Sequence, residues 1–498
     1  MAQSKNSMKA FYSNLAVVAI FVLAFAAIVF CYYANFLSVP TRAILAIAML
    51  MLSGTLIQRV KSLKGGYGMY MYGSERGIKT IDGIAKRNVS FWKQMATWGL
   101  VMGFGLLTFP LLKGKISRKG LIFGIVSIIL FLYFVIPCID VPFQFIKIAA
   151  IQNVVGSGPL TCTPTFAGLS LLGISIYVFT VVAGFSGFII ASVLGYGAKV
   201  LWNISGYAIG ALSGAPQTSL LTSLVPGVAP IIPGIDIPLI AGICSFIVIL
   251  TIHEFSHGIL ARISKIKIKS IGVLFFGVIP IGAYVEPDEK AVSKLDKEQQ
   301  NRISIAGVSS NLIASIVFFA LMFAMLAHVV PYIYQNQGVF ITSIIPNTPA
   351  NGILVPGMQI LSWDGQQVTN STNLAAATAG DLPGSVIKVV TNNGSYSFTA
   401  VAINGSARGY IGIYAAQEEE IVNTAYAHLM YFFYTFFALS FILNFLIGVV
   451  NLLPIPGFDG FRVYKTNIKS AFFVRFVTAL ILIGLALNAL PWLFTLIH

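Results

Sequence analysis

The sequence predicts a polytopic α-helical membrane protein of about nine transmembrane helices with one small β-rich soluble insert. Three observations carry this reading. Of 498 residues, 57% are hydrophobic and only 9% charged, with a mean hydropathy of +0.86; soluble domains use far less apolar sequence. Apolar runs of bilayer length recur between short basic segments. Between residues 337 and 415 the apolar runs shrink to strand length. Helices are expected for the spans because backbone facing lipid must satisfy its own hydrogen bonds. The net charge of +15 sits in short loops between spans. That is the positive-inside pattern, so the expected partner is the lipid bilayer and not a nucleic acid. Cys31, Cys138, Cys162 and Cys244 are scattered without metal-type spacing.

Taken in order, 1–202 reads as an N-terminal transmembrane region of about five helices. Leu15–Leu37 is an uncleaved first span and Ala43–Ile57 a short second one. Arg59–Lys93 is a polar loop with eight basic residues against Glu75 and Asp82. Trp98–Leu112, Leu121–Ile139 and Gly168–Trp202 are spans three to five. Asn203–Pro238 is too rich in Pro, Gly and Ser for a straight helix. Residues 203–330 then hold an apolar run from Ile237 to Leu260, an alternating run from Ile266 to Val285 that suits a β-hairpin, and span seven, Ile303–Val330. The insert, 337–415, shows five strand-length runs: Val339–Ile345, Met358–Trp363, Val386–Val390, Tyr396–Ile403 and Tyr410–Tyr414. They are punctuated by Asp364-Gly365, Asn393-Gly394 and Asn404-Gly405. Residues 424–498 carry span eight, Thr424–Val450, a proline-stiffened segment, and span nine, Val474–Leu496.

Chemistry concentrates in two places. His253-Glu254-Phe255-Ser256-His257 lies inside the sixth apolar run. A helix puts His253 and His257 one turn apart on one face, the arrangement of a zinc clamp, with Glu254 beside them as general base. Ionisable side chains this deep in an apolar helix are costly, which marks them as functional candidates. A catalytic zinc takes three protein ligands and keeps one position open. The best third ligand is Asp459, in Asn451-Leu-Leu-Pro-Ile-Pro-Gly-Phe-Asp459-Gly460, where irregular backbone at membrane depth must line a cavity or be buried by protein.

Together the two stretches resemble the site-2 proteases, the intramembrane zinc metalloproteases. The resemblance covers roughly Pro238 to Gly484, and the arrangement of the residues before it looks like that of archaeal members with extra N-terminal helices. Both signature motifs stand in the family's order, His-Glu-x-x-His first and Asn-x-x-Pro-x-Pro-x-x-Asp-Gly later. Pro280-Ile-Gly282-Ala283-Tyr284-Val285 resembles the family's membrane-associated hairpin, with Ala283 for a glycine. Gly307-Val-Ser-Ser-Asn311 resembles its Gly-Pro-x-x-Asn, with Val308 for proline. The insert is similar to a PDZ domain at Pro349-Ala350, Gly352, Pro356-Gly357 and Trp363-Asp364-Gly365, with Met358 where aspartate is usual.

The resemblance implies an intramembrane zinc endopeptidase that cleaves within or near transmembrane helices of membrane-protein substrates, as in regulated intramembrane proteolysis. It implies one Zn2+ per chain on His253, His257 and Asp459, Glu254 as catalytic base, and Asn451 and Asn311 as substrate-binding amides. Two other classes compete. A catalytically silent scaffold binding partners through the PDZ-like insert needs none of His253, Glu254, His257 and Asp459. An ion-coupled transporter calls for paired broken helices in two similar halves, which the sequence does not show. The basic segments Arg59–Lys93, Arg262–Arg302 and Arg462–Arg475 fall on one side in a nine-span count. That predicts a cell-membrane protein with its active site near the cytoplasmic face and the insert extracytoplasmic, where Asn370, Asn393 and Asn404 begin sequons. Lys113, Lys115, Arg118 and Lys119 run against the pattern.

Overall fold

The structure is a computed structural model. It describes residues 2–34, 37–73, 75–111, 116, 118–135, 171–214, 218–222, 224, 226–228, 231, 233–234, 237–328, 334–402, 408–421 and 424–497. Eight helices among the described residues are long and apolar enough to cross a membrane. They correspond to every expected span but the fourth. Leu121–Ile139 begins as helix Arg118–Leu130 and runs into a π-helical turn, Phe131–Val135; its continuation lies outside the described residues.

The first span is α1 (Ala2–Tyr33) and the second α2 (Val39–Lys61). The polar segment after α2 is structured. It forms β1 (Lys64–Gly66), β2 (Met69–Gly73) and α3 (Glu75–Ala85). The third span holds α4 (Val89–Phe104), and α5 (Arg118–Leu130) opens the fourth. The fifth, α6 (Leu171–Leu212), runs ten residues past its expected end and bends at Gly184, whose φ is 66°. A Cβ there would lie 2.4 Å from the Gly103 backbone, so only glycine allows both the bend and the approach.

The second half of the bundle starts with α7 (Leu239–Ile263), which follows Pro238 and ends where Lys265 turns to φ 61°. The expected hairpin is β3 (Ile268–Phe276) and β4 (Ile279–Pro287). It is half of an antiparallel sheet of order β1-β2-β3-β4, because β2 pairs with β3 from Met69↔Phe276 to Gly73↔Gly272. Helix α3 lays Ile78 and Ile81 against Ile259, Ile268 and Ile271. Its Asp82 pairs with Arg262 at the end of α7. Then come α8 (Lys297–Ser304) and α9 (Ala306–His328).

The insert opens on β5 (Tyr334–Ile344), then β6 (Gln359–Trp363), β7 (Gln366–Gln367), α10 (Ser371–Thr378), β8 (Val386–Thr391), β9 (Gly394–Thr399), β10 (Val401–Ala402), β11 (Gly409–Tyr410) and β12 (Ile413–Ile421). Asn370 caps α10 by accepting from the Asn373 N–H at 2.8 Å. The main sheet runs β12-β5-β6-β8-β9, with β7 on β6. Val339, Ile341, Ile360, Trp363, Ile387, Val389 and Phe398 fill a core separate from that of the helices. The β5–β12 ribbon extends past both expected ends, pairing Tyr334 with Ile421. With its own core and closing ribbon, a fragment of residues 334–421 should fold alone and give dispersed amide NMR signals. A random-coil spectrum would reject the insert as a domain.

The last elements are α11 (Thr424–Val450), α12 (Asp459–Asn467) and α13 (Ala471–Ile497). Both α9 and α11 connect to the insert at one end and to the motifs singled out in the sequence at the other. At 1.5 Å per residue, the 23 residues of α9 separate the insert from Gly307 by about 35 Å.

Of the N-terminal helices, α4, α5 and α6 are part of the core. Gly99 of α4 faces Ser309 of α9, where a Cβ would stand 1.7 Å from the Ser309 Oγ, and Gly103 faces Leu452. Small residues let these backbones approach closely without solvent to drive them together.

Candidate active site

Three side chains far apart in sequence meet at the end of the bundle opposite the insert. His253 and His257 project from α7, and Asp459 is the first residue of α12. The Asp459 Oδ2 lies 3.2 Å from His253 Nε2 and 3.1 Å from His257 Nε2. The two Nε2 atoms are 3.3 Å apart. All three residues are buried, among apolar side chains such as Leu260, Ile303 and Leu452. They form the one group of three or more potential metal ligands among the described residues.

The donor set fits a zinc ion. A tetrahedral zinc with bonds of about 2.0–2.1 Å keeps its ligand atoms about 3.3 Å apart, close to the three separations above. Gly307 supplies the space. A Cβ there would sit 2.4 Å from His253 Nε2 and 2.5 Å from His257 Nε2. Burial alone would raise the Asp459 carboxyl; the facing His257 and His253 overrule it and hold it well below the ordinary carboxylate range. Two imidazoles and an ionised carboxylate buried together want a cation between them.

Each ligand is held from behind. His257 Nδ1 meets the Ile303 carbonyl at 2.8 Å. That carbonyl lies in the last turn of α8, which ends at Ser304; it also accepts a backbone N–H at the helix cap, and its second lone pair is left for the imidazole. The Asn311 amide meets His253 Nδ1 at 3.1 Å. With a metal on Nε2, Nδ1 would carry the ring hydrogen and an amide oxygen would be its proper acceptor. A half-turn of the Asn311 amide would provide it, and would also give a partner to the Asn311 Oδ1, which is buried without one. Fully buried behind His253, Asn311 is placed to orient a ligand.

Asp459 is held by its loop. The Gly460 N–H donates to the Asn451 carbonyl at 2.7 Å, and a Cβ on Gly460 would lie 2.2 Å from the Leu452 carbonyl oxygen. That contact is the local reason for an Asp-Gly pair. Tyr464, one turn along α12, shares a hydrogen bond with Ser186 of α6. Asn451 sits at the mouth of this loop, half-buried, with no side-chain hydrogen bond among the described residues.

Glu254 points from α7 toward the sheet. Its Oε2 accepts from the Val285 N–H of β4 at 2.9 Å, which fixes the carboxylate beside the ligands and leaves Oε1 uncommitted. The structure brings the expected ligands His253, His257 and Asp459 together and forms the expected hairpin. Sequence reasoning did not foresee the contacts of the Val285 N–H or the Ile303 carbonyl. Both are backbone groups whose partners depend on tertiary folding.

A model of peptidase family M50 matches residues 241–490, from α7 through α13. A protein of Methanocaldococcus jannaschii carrying the name Uncharacterized protein MJ0971 is 28% identical over 232 residues, 46% of this chain and 57% of that protein. The chain thus aligns with little more than half the length of this relative. The family match covers half the chain and includes both motifs whose residues converge on one buried site, so this multi-pass membrane protein belongs to peptidase family M50.

Proposed function

We propose that this protein is an intramembrane zinc endopeptidase that cuts peptide bonds within or near transmembrane helices of other membrane proteins. The observation that carries the reading is the meeting of His253, His257 and Asp459 within 3.1–3.3 Å of one another, with Glu254 alongside. Zinc bound there supplies Lewis acidity, polarising a carbonyl and making a water acidic near neutral pH. Glu254 takes the proton from the attacking water and returns it to the leaving amine. Held on the Val285 N–H, it keeps one oxygen aimed at the reaction through both transfers. Asn451 offers a neutral amide to the substrate backbone. Asn311 orients His253.

The substrate is an unwound stretch of helix, since an intact helix keeps its carbonyls in its own hydrogen bonds. Helices weakened by Gly, Pro or Asn are therefore favoured. The insert, about 35 Å away along α9, resembles a PDZ domain and suits capture of a substrate's tail or exclusion of large ectodomains. Comparing membrane-protein fragments in cells carrying the wild-type gene and a Glu254→Gln gene tests the activity. Fragments ending within transmembrane helices should vanish with the variant, and identical fragment sets would reject the proposal.

The orientation follows from the basic segments, with the site near the cytoplasmic face and the insert outside. On a background lacking the four native cysteines, Ser395→Cys in the insert should react with an impermeant maleimide in intact cells. Ser293→Cys, between β4 and α8, should not. Both serines are exposed, and the reverse pattern would overturn the orientation.

A further inference from the structure

Behind the ligands, helices α8 and α12 are joined by a reciprocal pair of amides. The Asn467 Nδ2 donates to the Asn301 Oδ1 at 2.8 Å, and the Asn301 Nδ2 donates back to the Asn467 Oδ1 at 3.3 Å. The same Asn301 Nδ2 also donates to the Leu111 carbonyl at 3.2 Å, which brings the N-terminal half into the knot. Asn301 is completely buried.

Each partner lies on an element that controls one metal ligand. Asn467 is the last residue of α12, whose first residue is Asp459. Asn301 lies two residues before Ile303, whose carbonyl orients His257. Nine residues of helix make a stiff lever of about 13 Å, so a shift at Asn467 is carried to Asp459. The other polar links between α12 and the segment around α8, among the described residues, are weak. Arg462 and Glu289 form an exposed ion pair, which is worth little. Thr466 and Gln300 meet at 3.5 Å. Asparagine is chosen by chemistry here. A carboxylate lacks the donors that the Leu111 carbonyl and the opposing amide require, and an apolar residue strands them.

We propose that Asn301 and Asn467 are positioning residues that clamp the Asp459 helix to the segment orienting His257, and so set the spacing of the metal ligands. The proposal rests on the zinc reading above. A purely structural role predicts lower thermal stability with metal affinity unchanged. A positioning role predicts weaker binding and altered ligand geometry in protein that is still folded.

The test uses the full chain in detergent. Zinc affinity is measured by chelator competition, and ligand geometry by the visible absorption of the cobalt-substituted protein, for Asn301→Ala, Asn467→Ala and the double variant. Each single variant should bind zinc about tenfold more weakly, the low end of what orienting partners of metal ligands contribute, and should shift the cobalt bands. The double variant should be little worse than the weaker single one, because both remove the same link. Folded variants with wild-type affinity and spectrum would overturn the clamp. If the alanine variants do not fold, Asn467→Asp keeps the bond donated by Asn301 and removes the one returned, and is judged by the same two readings. A His253→Ala, His257→Ala variant runs alongside. If it loses zinc while the asparagine variants do not, only the clamp fails; if it retains zinc, the site reading fails and the clamp with it.

Discussion

Glu254→Gln should keep its zinc and lose proteolysis by about 10²–10⁴-fold, the usual contribution of a positioned general base. The separation of the two effects follows from the geometry. The candidate metal ligands are His253, His257 and Asp459, and their spacing does not depend on Glu254. The Val285 N–H that holds the Glu254 Oε2 can donate equally to a glutamine carbonyl, so the side chain keeps its place. What is lost is the ability to take a proton, because a neutral amide is not a base near pH 7. Metal analysis should give near one zinc per chain for wild type and variant alike. Robust cleavage by the variant would remove Glu254 from the mechanism, and loss of zinc would make it part of the metal site instead.

What could be read in advance divides along a physical line. His253, Glu254 and His257 were legible because a helix turns spacing into geometry; i and i+4 share a face whatever the rest of the chain does. The transmembrane helices were legible because the bilayer demands length and apolarity. Asp459 was legible because an acid in proline-stiffened backbone at that depth needs a reason. The insert's strands were announced by their turns, while the reach of its closing ribbon to Tyr334 and Ile421 was hidden by Glu418, Glu419 and Glu420, which look like loop.

The segment after α2 shows how one signal masked another. The eight basic residues of Arg59–Lys93 read as a loop, yet Gly65-Gly66-Tyr67-Gly68 followed by Met69-Tyr70-Met71-Tyr72 is a glycine-rich turn leading into a strand. That strand completes the sheet beside Glu254, with Tyr70 stacked on Phe275 at 5.3 Å. The coupling of the N-terminal helices to the site was not legible at all. Gly99 against Ser309, Ser186 against Tyr464, and Leu111 against Asn301 are contacts between residues far apart in sequence, with no local pattern to announce them. They give the first half of the chain a defined place, as the wall against which the metal ligands are set.

Gly307→Ala should cost zinc affinity heavily. The added Cβ would stand 2.4 Å from both Cε1 and Nε2 of the His253 ring and 2.5 Å from the His257 Nε2. Those are the faces that turn toward the ion, so one imidazole must rotate away or α9 must retreat. Retreat is resisted on both sides. Ser309 is packed against Gly99, and Asn311 is packed against Gly448 of α11, where a Cβ would lie 3.4 Å from the Asn311 Cβ. Rotation breaks either the His253–Asn311 or the His257–Ile303 hydrogen bond. Losing an orienting partner of a metal ligand weakens binding about 10–100-fold, and here the ligand itself is displaced as well, so the expected loss is at the upper end of that range. Gly307 adopts no positive φ, so alanine strains no backbone dihedral and the effect isolates the clash. Chelator competition on the purified full-length variant measures it, with Gly83→Ala, where a Cβ meets open space, as the matched control. Wild-type zinc affinity in Gly307→Ala would mean that the ion does not sit between the two histidines and Asp459.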